Sequence, residues 1–143
     1  MEDLRSLSAK LGGPKEEEKI PNRVGIGLLG LGTHSQRSHL DPLLKVLGNE
    51  SKLVAAWDPN HELLNSIATK TGMTPSGSEE ALWQNPLVEA VIVCSPDRFH
   101  MGALRSAVKN NKHALIEKPM AVAGQELVEL TGLLQTAAEK KLG

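Results

Sequence analysis

Gly30-Leu31-Gly32-Thr33-His34-Ser35 sets two glycines and a small polar residue between an apolar run and a helical pattern. That order suits a pyrophosphate. The first glycine makes the turn, the second lets a phosphate reach the backbone, and a small third residue lets helix pack on strand. The helix that follows adds free N–H groups and the positive end of its dipole. A second feature is Asp58, in Ala55-Ala56-Trp57-Asp58-Pro59. A carboxylate at the end of a strand can accept hydrogen bonds from the ribose hydroxyls of adenosine and repel a 2′-phosphate. It lies about 23 residues past Ser35, close to the usual ~20. A glycine turn without a ligand fits the first stretch equally well, and Asp58-Pro59 also reads as a turn-former. The two together favour a dinucleotide, with NAD expected over NADP. Arg37 is the competing cation for a 2′-phosphate, although its helical position favours a solvent-facing side chain.

The literal spacing Gly-x-Gly-x-x-Gly falls elsewhere, at Gly25, Gly27 and Gly30. It is rejected, because those residues lie inside the apolar run and the turn would arrive before the strand had formed.

These groups need elements to hold them, and the elements are legible as periodicity. Arg23 to Leu29, Lys52 to Trp57, Val88 to Cys94 and His113 to Ile116 are short apolar runs that read as buried strands. Ser35 to Leu47 carries Leu40, Leu43, Leu44 and Leu47 at helical spacing, with Pro42 predicting a kink or a late start. Asn60 to Thr71 reads as a helix with Asn60 as cap and Gly72 as stop, and Ser78 to Gln84 as a shorter one with a serine cap. Phe99 to Asn110 and Ala123 to Lys141 complete the helices, the last with Leu127, Leu130, Leu134 and Ala138 on one face. Strands alternating with helices predict an α/β fold, a Rossmann-type doubly wound parallel sheet. Residues 1–22, with Gly12-Gly13-Pro14 and a charged run, read as a flexible tail, and 23–143 as the dinucleotide-binding domain.

Composition narrows the partners. The chain has 143 residues, 40% of them hydrophobic and few aromatic, so one domain with an aliphatic core is expected. A net charge of −1 without a basic stripe argues against nucleic acid. Cys94 is the lone cysteine, so neither an intramolecular disulfide nor a cysteine-based zinc site can form, and no metal is expected. No apolar run approaches a membrane span and no secretory leader is read, so the expected compartment is the cytoplasm.

Two stretches are more specific: Cys94-Ser95-Pro96-Asp97-Arg98-Phe99-His100 after one strand, and Glu117-Lys118-Pro119 after the next. With the glycine turn and Asp58 they resemble the glucose–fructose oxidoreductase, inositol dehydrogenase and rhizopine-catabolism family, from Arg23 to the C-terminus. The family pattern Thr/Ser-Pro-Asn-x-x-His has Asp97 here in place of Asn. The resemblance implies NAD or NADP as cofactor and a sugar, polyol or related alcohol or carbonyl as substrate. It implies that Ser95, Pro96 and His100 lie beside the nicotinamide ribose and pyrophosphate. Glu117 then falls on the nicotinamide-ribose side, and Lys118 near the reacting carbon. An ammonium there would stabilise an alkoxide-like transition state. His100 reads equally as a capping or surface histidine, and His34 is expected to offer its backbone rather than its ring. The family's early-helix histidine fits His39 only with a one-residue offset, so His39 receives no role. The Lys118–Pro119 peptide is expected to be cis, at little cost for a bond before proline.

Family members are over twice as long. The resemblance therefore implies a further domain carrying the substrate pocket, acid/base partners for Lys118 and often a homo-oligomer interface. On this reading the chain is a cofactor domain, inactive alone. A nicotinamide-sensing or regulatory domain is the alternative, and a methyltransferase-like domain a third. Glu117-Lys118-Pro119 argues against both.

Overall fold

A computed structural model describes residues 23–143. The expected tail, 1–22, lies outside them. Five strands form one parallel sheet: β1 (Val24–Leu29), β2 (Ser51–Trp57), β3 (Thr74–Pro75), β4 (Ala90–Val93) and β5 (His113–Ile116). Their order is β3-β2-β1-β4-β5. β1 lies at the centre, pairing Leu29 with Trp57 of β2 and with Val93 of β4. The chain therefore winds outward first to one side of β1 and then to the other. That reversal leaves a crevice at the C-terminal ends of β1 and β4.

Helices cover both faces, as the alternation predicts. On one face, Leu40 and Leu43 of α1 (33–45) and Leu64 and Ile67 of α2 (His61–Thr71) pack on Ile26, Leu28, Ala56 and Ile92. On the other, Leu82 and Trp83 of α3 (Glu79–Gln84) and Ala103 and Ala107 of α4 (His100–Asn110) pack on Leu29, Val54, Val91 and Val93. Trp83 is fully buried. The predicted caps are present. Asn60 Oδ1 accepts from the Leu63 N–H at 3.0 Å, Ser78 Oγ from the Ala81 N–H at 3.1 Å, and Gly72 ends α2 at φ +76°.

Helix α1 differs from the sequence reading. It starts at Thr33, and it is built from an α turn Thr33–Ser35, a π turn Gln36–Leu40 and an α segment Asp41–Lys45. The Asp41 N–H donates to the Gln36 carbonyl, five residues back. Pro42 gives the reason. Its ring would press on the carbonyl four residues earlier and it has no N–H to donate, so the turn before it widens. The helix closes at Lys45, which leaves Leu44 and Leu47 half exposed rather than in the core.

Three other readings change. The two-residue strand β3 contains a proline and carries no alternation, so it is visible only as an edge partner of Ala55 and Ala56. β4 pairs over Ala90–Val93, narrower than the expected run. In α5 (Gly124–Glu139) the packed side chains are Leu130, Leu133 and Ala137, set against Met101, Leu104 and Val108 of α4. Leu127 and Leu134 of the expected face are exposed.

Gly25 and Gly27, the rejected glycines, lie within β1. A Cβ on Gly25 would stand 1.9 Å from the Leu87 carbonyl oxygen, and one on Gly27 3.0 Å from a Val88 methyl and 3.1 Å from a Leu82 methyl. They are glycines because the connection before β4 crosses β1 closely there. Gly25→Ala is therefore expected to lower stability by about 1–3 kcal/mol, the usual range for overpacking. Gly32→Ala, with open space around its Cβ, is expected to unfold in urea at the same midpoint as the parent.

Candidate functional site

The strand-to-helix turn after β1 is pinned from two sides. Gly30 adopts φ +89°, and a Cβ there would lie 2.9 Å from the backbone of Cys94 and Ser95. Its N–H donates to the Trp57 carbonyl at 3.0 Å. Only glycine meets both demands at this position. Asp58 supplies the next tie. Its carboxyl group is buried; Oδ2 accepts the Leu31 N–H at 2.8 Å and Oδ1 the Asn60 N–H at 2.8 Å. The turn-forming reading of Asp58 thus holds, since it closes an Asx turn, and the same carboxyl group also reaches the glycine turn. Leu31 gives its N–H to Asp58, and its side chain is buried.

Gly32 is different. A Cβ on it meets nothing within 4 Å. It precedes the first turn of α1, which no side chain caps, so the first N–H groups there have no acceptor within the helix. Thr33 is exposed beside it, and Ser35 is buried beneath the turn. A cleft of about 540 Å³ opens here, lined by Gly30, Gly32, Asp58, Pro59, Ser95, Pro96 and Phe99, among others. Ser95 Oγ is buried with no hydrogen-bond partner among the described residues. Cys94 is half-buried at the cleft wall; burial pushes its thiol pKa up, and it is no activated nucleophile.

His100 does not open into this cleft. Its ring is buried; Nδ1 lies 2.6 Å from the Pro119 carbonyl and Nε2 2.8 Å from the Ser95 carbonyl. It ties the loop after β4 to the loop after β5, so any influence on a ligand passes through those loops. The surface alternative for His100 is excluded by its burial.

Glu117 and Lys118 stand apart from the cleft lining. Lys118 is exposed and the Lys118–Pro119 peptide is cis. Glu117 Oε1 lies 3.0 Å from His34 Nε2 and 2.6 Å from His39 Nε2. Hydrogen bonds from His34 and then His39 hold the Glu117 carboxyl down to about 2. The His34 ring thus reaches across to β5, where only its backbone was expected to matter. His39 is the residue that sequence reasoning passed over. The one-residue offset was the signal. The π turn absorbs one extra residue and returns His39 to the side of the helix facing Glu117.

The geometry fits a nucleotide. The turn is pre-formed, Gly32 leaves a gap beside an uncapped helix start, and Asp58 and Ser95 line the same cleft. Comparison with known proteins agrees. Residues 24–142 match the family described as an oxidoreductase family with an NAD-binding Rossmann fold. An uncharacterized oxidoreductase of Synechocystis is 41% identical over 113 residues, which is 78% of this chain and 29% of that protein. The inositol 2-dehydrogenase of Rubrobacter xylanophilus is 30% identical over 103 residues, 69% of this chain and 28% of that protein. The dehydrogenase WlbA of Bordetella pertussis, solved in complex with NADH and UDP-GlcNAcA, superposes with a TM-score of 0.74 at 22% identity, over 85% of this chain and 35% of that one. The chain thus spans under a third of the length of the curated relatives it matches. No described helix is long and apolar enough to cross a membrane. The chain belongs to the glucose–fructose oxidoreductase, inositol dehydrogenase and rhizopine-catabolism family of oxidoreductases, as its NAD-binding Rossmann domain.

Proposed function

We propose that residues 23–143 hold a nicotinamide dinucleotide for an enzyme that transfers hydride to or from a sugar, polyol or related alcohol or carbonyl compound. The observation that carries the reading is the open position at Gly32, beside the uncapped start of α1 and across from Asp58. A phosphate can approach the backbone of Gly32, Thr33, His34 and Ser35 there without displacing any side chain. Asp58 spends one acceptor site of each oxygen on the backbone. A carboxylate has about four such sites, so two remain for ribose hydroxyls. Ser95 Oγ and the Pro96 ring form the opposite wall, and His100 fixes that wall by gripping the Ser95 carbonyl.

The bound nicotinamide supplies the hydride acceptor or donor. Lys118 contributes an ammonium that orients the substrate hydroxyl and stabilises negative charge on its oxygen. Glu117 stays ionised and lies toward the nicotinamide ribose. Support for the substrate class comes from the relatives, one named an inositol 2-dehydrogenase and one solved with a sugar nucleotide. Catalysis, the choice of substrate and a homo-oligomeric assembly belong to this proposal for the whole protein.

Two measurements test it. Gly32 has φ −60° and ψ 174°, an extended geometry open to any residue, so Gly32→Val is expected to fold normally and to lose NAD binding in calorimetry. Unchanged affinity in the folded variant would move the site elsewhere. NAD is expected to bind more tightly than NADP by about tenfold or more, ~1.4 kcal/mol, because Asp58 repels a 2′-phosphate and Arg37 is exposed. Tighter binding of NADP would overturn the assignment of Asp58 to the ribose.

A further inference from the structure

We infer that His34, His39 and Glu117 form a binding site for a divalent transition cation of the zinc class. Their donor atoms, two Nε2 and one carboxylate oxygen, all lie within 4.8 Å of one another. They come from two elements, the first turns of α1 and the end of β5, that the fold brings together. None of the three side chains lines the cleft at Gly32, and the cluster borders the proposed nucleotide site through the His34 backbone and Glu117. The inference does not rest on the proposed function, since it concerns the cation alone.

The donor set is one that zinc takes. Two imidazoles and a carboxylate with a fourth position open to water are a common three-residue site, with metal–ligand distances of about 2.0–2.2 Å. Ligands in a tetrahedron of that size stand about 3.3 Å apart. Glu117 Oε1 stands 3.0 Å from His34 Nε2 and 2.6 Å from His39 Nε2. Small side-chain rotations reach the required spacing. The His34 side chain is 64% exposed, which leaves the outer position to solvent, whereas His39 at 16% and Glu117 at 27% form the inner wall. The two rings meet edge to face at 80°, so neither covers the other's Nε2. Ser38 Oγ lies 3.4 Å from His34 Nδ1 and can hold that ring with Nε2 turned inward.

The helix carries an independent argument. His34 and His39 are five apart. In a regular α-helix with 3.6 residues per turn, such a pair diverges by about 140° around the axis and cannot share an ion. Zinc pairs on helices are four apart for this reason. The π turn Gln36–Leu40 begins after His34, contains His39 and adds one residue to the turn. It gives the pair the relation of residues four apart. π turns are rare and concentrate at functional sites.

The test is a zinc titration of the metal-stripped 143-residue chain without dinucleotide, by calorimetry, with cobalt(II) absorption as a second readout. One equivalent is expected to bind and to raise the melting temperature of the chain. His39→Ala and Glu117→Gln should weaken binding by about tenfold or more. His34→Ala, at an exposed position that folding does not need, should do the same and guards against loss of fold in the other two. His61→Ala removes an exposed histidine outside the cluster and should change nothing. Absence of saturable zinc binding by the parent overturns the inference, and so does equal affinity in the parent and a folded His34→Ala variant. Equal weakening by His61→Ala also overturns it, by assigning the cation to scattered surface histidines.

Discussion

The carboxyl group of Asp58 is the interaction on which the nucleotide end of the fold depends. It stands at the end of β2 and reaches the N–H of Leu31 in the turn after β1, 27 positions earlier in the chain. A buried backbone N–H left unpaired costs about 1–3 kcal/mol, and nothing else in the turn accepts this one. The bond therefore fixes the height at which the turn leaves the sheet. Gly30 fixes its lateral position by touching the backbone of Cys94 and Ser95. One turn is thus referenced to both neighbouring strands of β1. The same carboxyl group borders the cleft, so the ribose contact proposed for it would share a side chain with this structural tie.

A second clamp acts on the other side. His100 has a carbonyl oxygen at each ring nitrogen, from Ser95 and from Pro119. The loop after β4 shapes the cleft, and the loop after β5 carries Lys118. One buried ring thus ties the cleft wall to the lysine loop. The two ties work in sequence across the sheet, from β2 to β1 through Asp58 and from β4 to β5 through His100.

Much of this was legible in the sequence because it rests on local chemistry. Asn60, Gly72 and Ser78 act within a few residues of themselves, and apolar runs of strand length can be read without their partners. Gly30 and the turn at Asp58 were legible because each residue type answers a backbone need. What escaped depends on contacts distant in sequence or on register. Nothing near His100 announces that Pro119 will lie over it. β3 is two residues long and pairs by position alone. The true face of α5 is decided by the angle at which it crosses α4, which periodicity does not contain. In α1, a fixed period of 3.6 carried through Pro42 assigns Leu44 and Leu47 to the core. The helix instead closes at Lys45, so Leu47 lies beyond it and Leu44 on its last turn, both half exposed.

The four glycines from Gly25 to Gly32 show why spacing is a poor guide where environment is a good one. The literal fingerprint selects Gly25, Gly27 and Gly30. Each of these is held to glycine by protein atoms that a Cβ would strike: a carbonyl, two methyl-bearing side chains and the backbone of β4's exit. They are requirements of folding. Gly32 is required by nothing in the described chain, since a side chain there would project into open space. It stands at the mouth of the cleft and the start of a helix, where the proposed function places a phosphate. Spacing does not separate these positions, because all four glycines are written the same way, whereas the atoms around each Cβ do.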